Sequence, residues 1–116
     1  AWNMDSGEEV WSVEFESHNW GGILTTAGNL IFSGGTSDRF FRAHDASTGE
    51  ELWRFRTNSG IIGVPSTYSV NGKQYVAIQS GWGVDAAGMT ARIDQQRGTR
   101  TFVPQGGVVW VFALPD

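Results

Sequence analysis

"AHDASTGEELWRF", residues 43–55, is one phrase of a longer pattern: a small residue, an acid, a Thr-Gly turn and a tryptophan. The chain opens on a second copy, "AWNMDSGEEVWSVEF", residues 1–15, which needs no gap as far as its tryptophan. Ala1 matches Ala43, Asn3 matches Asp45, Ser6 matches Thr48, Gly7 matches Gly49 and Trp11 matches Trp53, each pair 42 positions apart. A period of about 40–45 residues is what four short antiparallel strands and their turns occupy, the length of one blade of a β-propeller.

The residues between the two copies agree with that count. "GGILTTAG" (21–28) and "NLIFSGGT" (29–36) are short runs rich in β-branched residues on either side of a Gly-Asn turn, and "DRFFRAHD" (38–45) alternates polar with apolar residues. A Ser-Thr-Gly turn then leads into "EELWRFRT" (50–57), the fourth strand of the blade. A further pair, "VPSTYSV" and "KQYVAIQSG", flanks Asn71-Gly72, a strong hairpin signal, and begins the next blade. Residues 83–106 lose the strand rhythm and read as a long loop with room for a short helical turn around 86–96. "GVVWVFALP" (107–115) is a final strand.

The expected fold is therefore all-β: a little over two four-stranded antiparallel blades of a propeller, not closed on its own, since a ring needs at least four. Residues 1–20 would end one blade, 21–57 form a complete blade, and 58–116 form a last partial blade with its long loop and closing strand. The remaining blades would come from elsewhere, because an open array leaves strand edges exposed.

Composition narrows the function classes. Eight Lys plus Arg against twelve Asp plus Glu give a net charge of −4, and no basic run is present to track phosphates, so nucleic acid is not an expected partner. No apolar run approaches the roughly 18 residues of a membrane span. The chain starts in mid-phrase, and no signal peptide is expected within this segment. Without cysteine, this segment holds no disulfide, no Cys-ligated zinc and no CxxCH haem attachment. Sixteen glycines and six tryptophans, beside a single lysine, favour tight turns and packed aromatics over helices.

The repeated phrase reads as a fastener. A tryptophan on an outer strand offers a flat face to the adjacent blade, and its indole N–H can donate to a backbone carbonyl there. Gly7 and Gly49 suit turns that need positive φ, with Asn3 or Asp45 capping the turn amides. The small residue that opens the phrase leaves space for an indole of an adjacent blade.

The motif A-x-D-x-x-T-G-x-x-x-W resembles the tryptophan-docking motif of the quinoprotein alcohol dehydrogenases, eight-bladed propellers carrying pyrroloquinoline quinone (PQQ). "NWGGILTTAGNLIFSGGT", "TNSGIIGVPSTYSVNGKQYVAIQSGWG" and "GGVVWVFALP" resemble the last blades of the methanol and ethanol dehydrogenase branch, so the likeness covers nearly the whole chain. It implies a periplasmic enzyme that oxidises a small primary alcohol by hydride transfer to PQQ, beside a calcium or lanthanide ion, with electrons leaving to a c-type cytochrome. The metal ligands, the catalytic aspartate, the adjacent cysteine pair and the stacking tryptophan belong, by the same likeness, to earlier blades. If Asp116 is the true end, no haem domain is fused downstream and the cytochrome is a separate protein.

Two places match cofactor-wall positions of that family. Trp20 opens an innermost strand where the family places a tryptophan near the quinone edge; the competing role is packing between blades. In "SGWGVDAAG" (80–88), Gly83, Val84 and Asp85 stand where the methanol branch has a glycine followed by a tryptophan, a departure that favours backbone over side-chain contact. Asp38-Arg39, where the family often has Asp-Gly, reads as a solvated turn. His18 and His44 are isolated and do not argue for a metal. Asp94 and Arg97 either line a substrate entrance or are solvated, and the second role is preferred. A non-catalytic envelope scaffold built from the same docking repeats is the alternative to an enzyme. A sugar-binding propeller lectin is disfavoured because Ile62 stands one period after Trp20.

Overall fold

The computed structural model describes residues 1–115; Asp116, with which the last blade segment was expected to end, lies outside the described residues. Four strands, β1 (Ile23–Thr25), β2 (Leu30–Ser33), β3 (Phe40–Asp45) and β4 (Glu51–Arg56), form an antiparallel meander in the order β1-β2-β3-β4. A second sheet follows in the order β5-β6-β7, from β5 (Ser66–Val70), β6 (Lys73–Ser80) and β7 (Val108–Ala113). The long connection between β6 and β7 carries the one helix among the described residues, α1 (Val84–Arg97). The other regular elements among the described residues are strands, and neither sheet closes on itself.

The expected turns have the backbone their residues dictate. Asn71 and Gly72 both take positive φ, 50° and 78°, as the tight hairpin between β5 and β6 requires. Where the sheets meet, Phe32, Phe41 and Ala43 of the first and Val76 and Ile78 of the second form one buried core with Ile61 from the linker. Phe41 is wholly buried and meets Phe112 of β7 at a ring-centroid distance of 5.9 Å. Truncating a buried aromatic of this kind costs about 3–5 kcal/mol. Ala43 is the cross-strand partner of Trp53 in its own sheet.

Two details differ from the expectations. The short helical turn is a 14-residue helix, because its C-terminus is well capped: Gly98 adopts the left-handed conformation (φ 67°) and donates its N–H to the Asp94 carbonyl. Asp85 in the first turn and Arg97 in the last complement the helix dipole. Asp38 is not simply solvated. It forms an ion pair and hydrogen bonds with the buried Arg42, which also binds Glu51 at 3.0 Å and lies over the Phe15 and Phe40 rings. A guanidinium this buried needs anionic partners. Burial works to raise the Asp38 carboxyl pKa, but hydrogen bonds from Arg42, Thr36 and the Phe40 N–H outweigh it and hold the pKa below the usual value. Arg39 takes φ 67°, a conformation that glycine adopts more readily.

The outermost strand of the second sheet, β7, pairs only with β6 among the described residues, and Val109 and Val111 are exposed along it.

Candidate functional site

The docking phrase is built twice with the same hydrogen bonds. In the first copy, the Asn3 side-chain oxygen accepts from the N–H of Asp5 and of Ser6, and Gly7 (φ 71°) donates to the Asn3 carbonyl at 2.8 Å. In the second, a carboxylate oxygen of Asp45 accepts from Ser47 and Thr48, and Gly49 (φ 77°) donates to the Asp45 carbonyl at 2.8 Å. Hydrogen bonds from the Ser47 and Thr48 amides lower the Asp45 pKa. Trp11 then crosses to the neighbouring blade: its indole N–H donates to the Ala46 carbonyl at 2.9 Å, and its ring lies where a side chain at Gly49 would be. These contacts are structural, and no reacting group belongs to them.

Trp20 lies elsewhere, on the loop preceding β1. Its N–H donates to the Gly35 carbonyl at 3.0 Å, and Ser37 N–H donates to the Ser17 hydroxyl at 2.9 Å, so the loop is tied to the segment after β2. Gly35 (φ 118°) makes that approach possible, because any side chain there would overlap the Gly21 backbone. Trp20 is half-buried and faces His18, with ring centroids 6.2 Å apart.

Facing this loop is α1. Between them lies a cavity of roughly 220 Å³ whose walls include His18, Trp20, Trp82, Thr90, Ile93 and Arg97. Trp82, which sequence reasoning did not single out, is buried at the end of β6 beside Gly60, where any Cβ would overlap its ring. The signal was present as a tryptophan between two glycines. Thr90 and Ile93 were also missed, because their grouping on one helical face is visible only once the helix is assigned.

Asp94 also lines the cavity. Its carboxylate accepts from the Thr99 hydroxyl at 2.6 Å and from the Thr101 N–H at 2.7 Å, closing the loop after α1. The Thr99 and Thr101 hydrogen bonds depress its pKa. A carboxylate so engaged is a poor base. Of the other candidates, Gly83 is the N-cap of α1 without a side-chain cap, Val84 is largely exposed, and Asp85 follows in the first turn. The structure brings Trp20 together with Trp82 and α1; Gly83, Val84 and Asp85 lie next to this group in sequence but not among the cavity-lining residues.

His44 is a core residue of β3, where burial and the nearby Arg42 charge lower its pKa against the opposing effect of Glu51. No cluster of three or more metal-binding side chains occurs among the described residues, and no helix among them is long and apolar enough to cross a membrane.

Comparison with known proteins gives this arrangement a family. Residues 1–76 match the model of the PQQ family described as glucose/ethanol/alcohol dehydrogenase, beta-propeller domain. The chain is 42% identical over 110 residues to the quinoprotein alcohol dehydrogenase PedH of Pseudomonas putida, covering 95% of this chain and 18% of that protein. It is 48% identical over 101 residues to the 1-butanol dehydrogenase (quinone) of Thauera butanivorans, covering 81% of this chain and 14% of the relative. Among solved structures, a europium-containing methanol dehydrogenase superposes with a TM-score of 0.74 at 34% identity, over 97% of this chain and 22% of that one. The quinohemoprotein alcohol dehydrogenase of Comamonas testosteroni gives 0.74 at 39% identity, over 97% and 15%. The chain thus spans less than a fifth of the length of these curated relatives. Both docking turns fall within the matched residues, and this chain belongs to the PQQ β-propeller family of glucose, ethanol and alcohol dehydrogenases.

Proposed function

We propose that this chain is a C-terminal portion of a quinone-dependent dehydrogenase that oxidises a small primary alcohol of the methanol, ethanol or butanol type to the aldehyde. The observation that carries this reading is the 42% identity to a quinoprotein alcohol dehydrogenase along 95% of the chain. Residues 1–20 act as the end of one blade, 21–57 as a whole blade and 58–116 as the last partial blade. The exposed edge of β7 supports completion by strands from the rest of the protein, since an unpaired apolar edge is an aggregation hazard in isolation.

PQQ, when bound, supplies the hydride acceptor, with calcium or a lanthanide ion polarising it through ligands outside this segment. Within the chain, Trp20 is half-buried on an anchored loop and offers an apolar surface to a planar ring. The first-turn amides after Gly83 have no side-chain cap and suit a carboxylate of the quinone, so Gly83, Val84 and Asp85 would contribute through their backbone. The Asp85 carboxylate, being an anion itself, would turn away. This segment supplies no catalytic base. Electron transfer to a c-type cytochrome and a periplasmic location belong to the same proposal.

The test is reconstitution of the full-length protein with PQQ and calcium or a lanthanide, followed by dye reduction with methanol, ethanol and 1-butanol. Dye reduction with any of them is expected. Absence of both quinone absorbance and dye reduction would leave the non-catalytic scaffold as the better reading.

A further inference from the structure

We infer that the cavity between the Trp20 loop and α1 admits a short alcohol, and that the α1 face bearing Thr90 and Ile93 is the wall that selects its length. The inference rests on the alcohol dehydrogenase reading and assigns a substrate-selecting role to residues within this segment.

Thr90, Ile93, Asp94 and Arg97 are spaced three, four and seven apart and share one helical face, and all four line the cavity. Both ends of that wall are fixed. Ala86, four residues before Thr90, is buried, and Asp94 ties the C-terminal turn to Thr99 and Thr101. The opposite wall is the Trp20 loop, held by the Gly35 and Ser37 contacts, and Trp82 adds a rigid apolar surface wedged beside Gly60. A lining that holds its shape can discriminate by size.

The volume and chemistry limit what fits. Roughly 220 Å³ is below the range of about 300–1,000 Å³ typical of drug-sized ligands, which leaves room for a molecule of a few heavy atoms. The indoles of Trp20 and Trp82 and the Ile93 side chain suit an alkyl chain, while the hydroxyls of Thr90 and Ser37 and the His18 ring offer partners for an alcohol O–H. Asp94 is engaged in its own loop and is not a free base for the alcohol proton, while Glu16 adds a second carboxylate to the lining. Arg97 is exposed on the same helical face.

The test uses full-length protein loaded with PQQ and metal. Thr90→Trp narrows the cavity and Ile93→Ala widens it. The ratio of kcat/KM for 1-butanol to that for ethanol is expected to fall about tenfold in the first variant and to rise several-fold in the second. A second readout needs no turnover: 2-methyl-2-propanol, which has no hydride to give, should perturb the indole resonances of Trp20 and Trp82 in wild type and not in Thr90→Trp. Unchanged ratios in both variants, with indole resonances indifferent to the tertiary alcohol, would overturn the inference. If the wild type oxidises no alcohol but the tertiary alcohol still perturbs Trp20 in a Thr90-dependent way, the cavity assignment stands and the dehydrogenase reading fails.

Discussion

Trp11 and Trp53 occupy the same position in two copies of one phrase, yet their surroundings differ. Trp11 donates its indole N–H to Ala46 of the next blade and lies flat against Gly49. Trp53 stacks on Phe55 at 6.3 Å and meets Phe112 of the second sheet edge-on at 5.0 Å, and its indole N–H has no acceptor among the described residues. It is 38% exposed, at the side of an open apolar groove that Leu30, Phe32, Val76 and Leu114 also line. The turns before the two tryptophans are nevertheless the same, bond for bond. Turn geometry is thus a property of the phrase, whereas the fastening is a property of the neighbour it meets: Trp11 faces a blade with its own docking turn, and Trp53 faces a sheet of three strands.

The largest expected difference between the two copies lies at their glycines. Both have positive φ, but a Cβ at Gly49 would sit 2.6 Å from the Trp11 ring, while one at Gly7 would meet nothing within 4 Å. Gly49→Ala should cost about 3 kcal/mol, from backbone strain plus displacement of the indole, and Gly7→Ala about 1 kcal/mol from strain alone. Hydrogen exchange of the turn amides in the full-length protein measures both. Equal costs would mean that the Trp11 ring moves aside freely.

A smaller effect is expected from the tryptophans themselves. Trp11→Phe leaves the Ala46 carbonyl without its donor and should destabilise the seam by about 1 kcal/mol more than Trp53→Phe, which breaks no hydrogen bond among the described residues. Thermal unfolding of the two variants side by side reads the difference. A Trp53 variant as damaging as the Trp11 variant would show that the absent blades give Trp53 an acceptor too.

The smallest effect is one of pH. Asn3 and Asp45 cap equivalent turns, but only Asp45 titrates. Its folded-state pKa is lowered by the Ser47 and Thr48 amides, so its contribution is complete above the ordinary carboxylate value and is lost as pH falls through the depressed one. The amides of Ser47 and Thr48 should therefore lose protection in acid while those of Asp5 and Ser6 do not. Asn3→Asp should make the first turn acid-sensitive in the same way, as read by amide exchange across that pH window.

The strands, the hairpin at Asn71-Gly72 and the repeat were legible because each depends on residues close in sequence: alternation over a few positions, or a turn whose φ values only certain residues tolerate. The helix was legible in part. Its length became clear only with Gly98 and the Asp94 loop, whose partners lie past the segment that reads as helical. Asp38 read as a solvated turn because Arg42, its partner, is four residues on, and nothing in the sequence says that this arginine is buried. The cavity was the least legible feature, since Trp20 and α1 are more than sixty residues apart.

What the sequence determined alone is the phrase repeated 42 residues apart, its twice-built turn and the number of strands between, because backbone hydrogen bonds and allowed φ values are settled within about ten residues. Only the tertiary structure decided which tryptophan finds an acceptor, that Trp82 slides in beside Gly60, and that Thr90 and Ile93 face Trp20. Those outcomes depend on contacts between surfaces from distant parts of the chain, where a missing side chain on one segment is the space that another fills.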